Sequence, residues 1–210
     1  MRRIYQSEYS NFQNHRDLIN QTAFHEAGHA AAIHFGNNQK QLPPVFFKIQ
    51  LKQSTNEGKQ FCAKVIDGCL IQNLPIAGLN NIYELSTTDQ LKYQSAYEAD
   101  VINLLVGPLA EAKFVSERDD EIFNFNLLNI HSLNYYGGTS DIEKAYAYLE
   151  YFIPSKEQRE NKMLELFNQA FQFIEDDKIW NGILKLAQYI LNSKKDQLSC
   201  EEIIEVLTSV

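Results

Sequence analysis

Basic residues are in short supply. The chain has 210 residues, with 19 Lys+Arg against 27 Asp+Glu and a formal net charge of −8. That balance excludes a nucleic-acid backbone as partner, since phosphate binding needs a basic patch and none occurs. Long apolar runs are missing too. The most apolar window, VINLLVGPLA at 101–110, is far short of the ~20 residues that a membrane span needs. The first residues, MRRIYQSEYSNF, place no apolar stretch behind their two arginines, which argues against a secretory signal. Cysteines number three, Cys62, Cys69 and Cys200. An odd count without zinc-knuckle spacing reads as free thiols filling apolar space in a reducing compartment. These absences predict a soluble, cytoplasmic protein. What is present suffices for a core: 44% of residues are hydrophobic, an ordinary globular fraction. The length suits one domain over 1–210, with C-terminal helices from about 154.

No internal repeat or low-complexity segment interrupts the chain. From about His15 to Phe35 the pattern is helical and alanine-rich, with Gly36-Asn37-Asn38 as the expected stop. Two prolines and alternating bulky residues then predict a strand over Val45–Leu51. STNEGK reads as a turn and QFCAKVIDG as a returning strand, which makes a hairpin at about 45–66. LIQNLPIAG adds a short extended piece. Residues 93–116 have helical periodicity, and 117–136 read as a loop or lid. Gly137-Gly138 gives a turn, and Ser140 with Glu143 predicts a capping box for the next helix; Ser199 with Glu202 predicts another. Leu164, Phe167, Phe171, Ile174, Trp180, Ile183, Leu186 and Ile190 recur at three-to-four spacing, the signature of a helical-bundle core. The expected fold is mainly α (α+β), with a small sheet near the front and a C-terminal helical bundle.

The stretch TAFHEAGHAAAIHFG at 22–36 contains His25-Glu26-Ala27-Gly28-His29. Residues four apart share one helix face, so His25 and His29 can present two imidazoles to one metal ion. Glu26 is one step round, in reach of a water on that ion. This is the zincin arrangement, in which two histidines bind zinc and the glutamate is the general base. The pattern arises by accident in under ~1% of chains of this composition. Ala27, Gly28, Ala30, Ala31 and Ala32 would let such a helix pack closely against a sheet. Gly28 costs ~1 kcal/mol against alanine in a helix interior, which a mere surface helix has no reason to bear. His34 is not part of the pattern. A metzincin would place its third histidine at position 35, where Phe35 stands.

A catalytic zinc takes three protein ligands and keeps one position open. The candidates for the third are His131, Glu98 and Glu111 on the 93–116 helix, and Asp141 after the glycine turn. Spacing alone does not choose among them, and Asp141 also suits simple helix capping. Glu111 fits a further role, accepting a hydrogen bond from a ligand histidine.

The order of three pieces resembles the FtsH-type zinc peptidase domain, the proteolytic half of membrane-bound ATP-dependent proteases. The pieces are His25–Ala30, then Gly107-Pro108-Leu109-Ala110-Glu111, then Gly137–Asp141 followed by IEKAYAYLEYF. The resemblance spans about residues 15–190, and HEAGH is its most specific part. It implies a zincin-like active-site helix, a catalytic part over about 1–153, and a Zn2+ site of His25, His29 and Asp141 with Glu26 as base. The chain departs from the family in having no G-x-x-x-x-G-K-[ST] phosphate loop and no membrane segment. The family's rings belong with its ATPase, which leaves oligomeric state open.

The implied activity is hydrolysis of peptide bonds in flexible or unfolded polypeptides, laid along the hairpin's edge as an added strand. A separate unfoldase or partner protein would deliver folded substrates. A catalytically silent or regulatory zinc-binding module on the same fold is the alternative, although such a module has no need of Glu26. Repressor-cleaving regulatory metallopeptidases, which also carry H-E-x-x-H, are a third reading.

Overall fold

The computed structural model describes residues 3–53, 61–71 and 87–209. The described chain is mainly helical, with one small antiparallel sheet. Helix α1 (Arg3–Ala31) runs without a break into a π-turn at Ala32–Gly36 and a last turn at Asn37–Gln39. Strands β1 (Phe47–Gln53) and β2 (Phe61–Asp67) follow, then α2 (Thr87–Arg118). Two short 3-10 turns, Phe125–Leu127 and Ile130–Tyr136, lead to α3 (Thr139–Phe152). Helices α4 (Lys156–Glu175) and α5 (Asp177–Asn192), strand β3 (Gln197–Leu198) and helix α6 (Cys200–Thr208) complete the order.

Gly36-Asn37-Asn38 does not end the first helix. Gly36 stays helical at φ −64 and ψ −44. The chain leaves only at Gln41, which takes a left-handed φ of 54 just before Pro43. Single π-turns of this kind are frequent at functional sites. The Asn103 amide, with both its ends satisfied, donates to the carbonyls of Ala32 and Ala99 at 3.2 Å each.

The sheet order is β2-β1-β3. Phe47 pairs with Asp67 and Gln53 with Phe61, so the strand starts two residues later than Val45 and ends two later than Leu51. The pairing stops at Asp67 because that residue turns left-handed, at φ 68. The STNEGK turn and most of LIQNLPIAG fall outside the described residues. β3 pairs with the far side of β1, Ile49 opposite Leu198, which leaves β2 and β3 at the two edges of the sheet among the described residues.

The small residues of α1 serve a helix crossing more than a helix-on-sheet contact. A Cβ added at Gly28 would sit 2.7 Å from Ala110 Cβ and 2.9 Å from the Val106 carbonyl, both on α2. α1 also packs on α5, where Phe24 meets Trp180 at 5.9 Å, while the same ring stacks on Phe114 of α2 at 4.1 Å. Lys113 locks the corner, with its Nζ donating to the Ile174 carbonyl at the end of α4 and lying over Trp180. Phe167, Phe171, Ile174, Trp180, Ile183, Leu186 and Ile190 are buried as the spacing predicts, whereas Leu164 is exposed.

Residues 117–136 do not form a lid over the site. Phe123 stacks on Phe171 at 4.7 Å and Phe125 lies against Phe167 and Phe171, which pins the segment to α4. The box of Ser140 and Glu143 does not form either. α3 begins two residues earlier than that box requires, at Thr139, with Gly138 as its N-cap and no side-chain cap. Ser199 does cap α6, accepting from Glu202 N–H, but the Glu202 carboxylate turns instead to Lys195 and Tyr189.

Candidate metal centre

α1, α2 and α3 deliver the site. His25 and His29 lie one turn apart on α1, with ring centroids 4.8 Å apart. Asp141, in the first turn of α3, places Oδ2 3.2 Å from His25 Nε2 and 3.8 Å from His29 Nε2. The turn before it makes this possible. Gly137 adopts φ +69, and a Cβ there would lie 3.0 Å from Glu111 Oε2 and 3.2 Å from His25 Nδ1. A side chain at Gly107 would overlap the His29 ring. Glycine is required at both places, once for backbone conformation and once for space.

The opposite ring nitrogens are tied down. His25 Nδ1 donates to Glu111 Oε2 at 3.0 Å, and His29 Nδ1 donates to the Asn103 carbonyl at 2.7 Å. Pro108 lies inside α2 close by. It has no N–H for the Leu104 carbonyl and disturbs the helix ladder at that turn. Carboxylate or carbonyl behind each imidazole fixes the tautomer that leaves Nε2 free for an ion. Glu111 therefore supports a histidine and is not one of the converging groups. Glu98 is drawn away to Lys162 and Gln94, and His131 is exposed. His34 packs edge-on against Phe35, apart from the group.

His25, His29 and Asp141 together form a buried or half-buried group that can hold a metal ion, with ligand atoms all within 4.8 Å of one another. The donor set fits. Ligand atoms about 2.0–2.1 Å from a tetrahedral ion lie roughly 3.4 Å apart, and the carboxylate-to-imidazole distances bracket that value. The electrostatics agree. Burial resists charge on His25, but the bonds to Asp141 and Glu111 and the Glu26 charge outweigh it and push the ring up to about 10. Asp141 is also buried, yet the two histidines hold its carboxyl well below the ordinary range. A cation is favoured at this spot.

Glu26 faces the sheet. Its Oε2 accepts the Val65 backbone N–H of β2 at 2.6 Å. The group opens into a cleft of about 620 Å³ between α1, the edge of β2 and α3, walled by Ala63–Val65, Asp67–Cys69, Lys144 and Tyr148. Cys69 is thus part of the cleft wall, whereas Cys200 is buried in the core; the Cys62 side chain lies outside the described residues. The floor is pegged by Asp100, whose oxygens accept Leu70 N–H at 2.8 Å and Ile71 N–H at 2.9 Å, while Tyr148 Oη donates to the Ile71 carbonyl. Sequence reasoning missed Val65, Asn103, Asp100 and Tyr148. Two of these act through backbone atoms, which leave no trace in residue type. A buried Asp in a helix of apolar residues was the one available hint.

The chain matches no protein-family model, and no curated protein is significantly similar to it. No described helix is long and apolar enough to cross a membrane.

Proposed function

We infer that this chain is a zinc metallopeptidase of the FtsH type that hydrolyses peptide bonds in flexible or unfolded polypeptides. The observation that carries the reading is a carboxylate, Glu26, set between an edge strand and a His25, His29, Asp141 group within one open cleft. An ion held there would act as a Lewis acid and bring a water's pKa toward ~7. His25 and His29 would bind it through Nε2, and Asp141 through Oδ2. Glu111 and the Asn103 carbonyl would keep the two rings aimed. Glu26 would take the proton of the attacking water and pass it to the leaving amine nitrogen. The edge of β2 would hold the substrate extended beside these groups by backbone hydrogen bonds, which suits unfolded chains of varied sequence. No phosphate-binding loop occurs in these 210 residues, and an unfoldase or partner acting with them would prepare folded substrates.

A second reading is a silent or regulatory zinc-binding module. The observation favouring it is the Glu26–Val65 bond, which engages the base. Zinc-loaded wild type and Glu26→Gln, tested on unfolded casein followed by fluorescence, separate the two. Cleavage by wild type alone supports the peptidase. No cleavage by either, with zinc retained by both, leaves the binding module.

A further inference from the structure

Among the described residues β2 is an edge strand, and its outer rim is the cleft wall. The register says which of its backbone groups face outward. Ile49 and Leu51 of β1 pair with Val65 and Ala63. Leu51 N–H points the other way, to the Asp196 carbonyl beside β3. In an antiparallel ladder the two members of a pair direct their N–H and C=O groups alike, both toward or both away from each other. Ala63 and Val65 therefore present their N–H and C=O groups to the cleft. They form the row that an added strand would use. The Val65 N–H in that row is already occupied, by Glu26 Oε2 at 2.6 Å. One carboxylate thus has two duties, and the bond to Val65 holds it at the strand edge through Oε2.

We propose that the substrate backbone releases the base: an extended polypeptide adding to β2 takes the Val65 N–H for one of its own carbonyls and so frees Glu26 to turn toward the scissile bond. This rests on the peptidase reading and adds its regulation. The exchange is conservative, one acceptor replacing another on the same donor. The strand edge stays satisfied before and after binding. The N–H is handed over only to a ligand with a carbonyl in strand register. Short or folded substrates that cannot reach Val65 leave Glu26 engaged.

The test needs no turnover. The probe is an acetylated, amidated alanine–valine octapeptide, N-methylated at alternate residues so that only one edge can pair and the chain resists hydrolysis. Its affinity is measured by calorimetry for zinc-loaded full-length wild type, Glu26→Ala, Val65→Pro and the double variant. Proline is tolerated at an edge position whose N–H faces outward. Glu26→Ala should bind about tenfold more tightly than wild type, because a charge-assisted bond no longer competes. That gain should vanish in the Val65→Pro background. Equal or weaker binding by Glu26→Ala overturns the proposal, and so does an undiminished gain with Val65→Pro, which would mark a general charge effect. Should Val65→Pro not fold, the Val65 amide proton decides. It should move upfield in Glu26→Ala, and peptide should bring wild type and variant to one position; a wild-type signal that ignores peptide at saturation refutes the exchange. Casein cleavage does not enter these readouts. An inactive protein that passes them would lose the hydrolytic reading alone, and an active one that fails them would lose only the exchange.

Discussion

The Nδ1 edge of His25 rests on the Glu111 carboxylate at 3.0 Å, so the ring turns its other nitrogen, Nε2, toward Asp141. Both partners are buried, and Gly137 packs over their contact. A carboxylate behind a ligand imidazole raises its basicity and fixes its orientation, and loss of such a partner costs 10- to 100-fold in metal affinity. Glu111→Ala should therefore weaken zinc binding by about 10- to 100-fold. Glu111→Gln, which keeps an acceptor, should lose less. His25→Ala, His29→Ala and Asp141→Ala should lose more than either. Competition against a chromophoric chelator measures all five, and an unchanged affinity in Glu111→Ala would remove it from the site.

Gly107 and Gly36 both sit in helical conformation, yet they should respond in opposite ways to alanine. At Gly107 the new methyl would overlap the His29 ring, which is held by the Asn103 carbonyl and has little room to retreat. Gly107→Ala should displace that ring and abolish tight zinc binding, with a fold penalty of about 1–3 kcal/mol. At Gly36 the nearest atoms to an added Cβ are Phe173 at 3.8 Å and Asn103 at 3.9 Å, ordinary contact distances. Gly36→Ala should raise stability by up to ~1 kcal/mol. Urea titration of both variants, with zinc binding as the second readout, checks the contrast.

Those two glycines also show what could be read in advance. The pairing of His25 with His29 was legible because an i, i+4 pair on one helix is a local pattern, and the helical faces of α4 and α5 were legible for the same reason. Asp141 was not distinguishable by spacing from Glu98 or Glu111. Its place depends on the left-handed turn at Gly137 and on how α3 meets α1, and those are tertiary facts. Gly36 misled because a glycine followed by two asparagines is a common stop, whereas here packing beside Phe173 and Asn103 keeps the chain helical. The acidic and aromatic mixture of 117–136 suggested a lid, but Phe123 and Phe125 find ring partners on α4, which no local pattern reveals.

Asn37 is 2% exposed, and neither end of its amide meets a protein partner. An unpaired buried amide costs about 1–3 kcal/mol in lost solvation. Leucine has the same branched skeleton, with somewhat larger end groups, and better helix propensity. Asn37→Leu should raise the melting temperature by roughly 2–4 °C for each kcal/mol recovered in a chain of this size. A fall would mean that the site has no room for leucine's methyl groups or that the amide holds a bridging buried water.

Asp100 sets a pH dependence of unusual sign. Burial pushes its carboxyl up to about 6, and the bonds from Leu70, Ile71 and Tyr148 only partly offset that. The folded value lies above the ordinary 3.8, so the folded state holds this proton more tightly than the unfolded chain does. The resulting stabilisation is complete below about pH 4 and is lost as pH rises through about 6. The tighter hold on the proton is worth roughly 3 kcal/mol at most. Paired carboxylates such as Asp141, held low, contribute with the opposite slope, so the whole-protein curve would hide the effect. The difference between wild type and Asp100→Asn isolates it, since every other group cancels. Urea unfolding of both at pH 4, 5, 6 and 7 should show the wild-type advantage shrinking with rising pH, whatever its absolute size. The same peg holds Leu70 and Ile71 against α2, next to the cleft wall at Gly68 and Cys69. Amide exchange at Leu70 and Ile71 should therefore quicken in Asp100→Asn while the helices of the C-terminal bundle keep their protection. A wild-type advantage that grew with pH would mean that the two N–H bonds outweigh burial and that Asp100 is charged throughout.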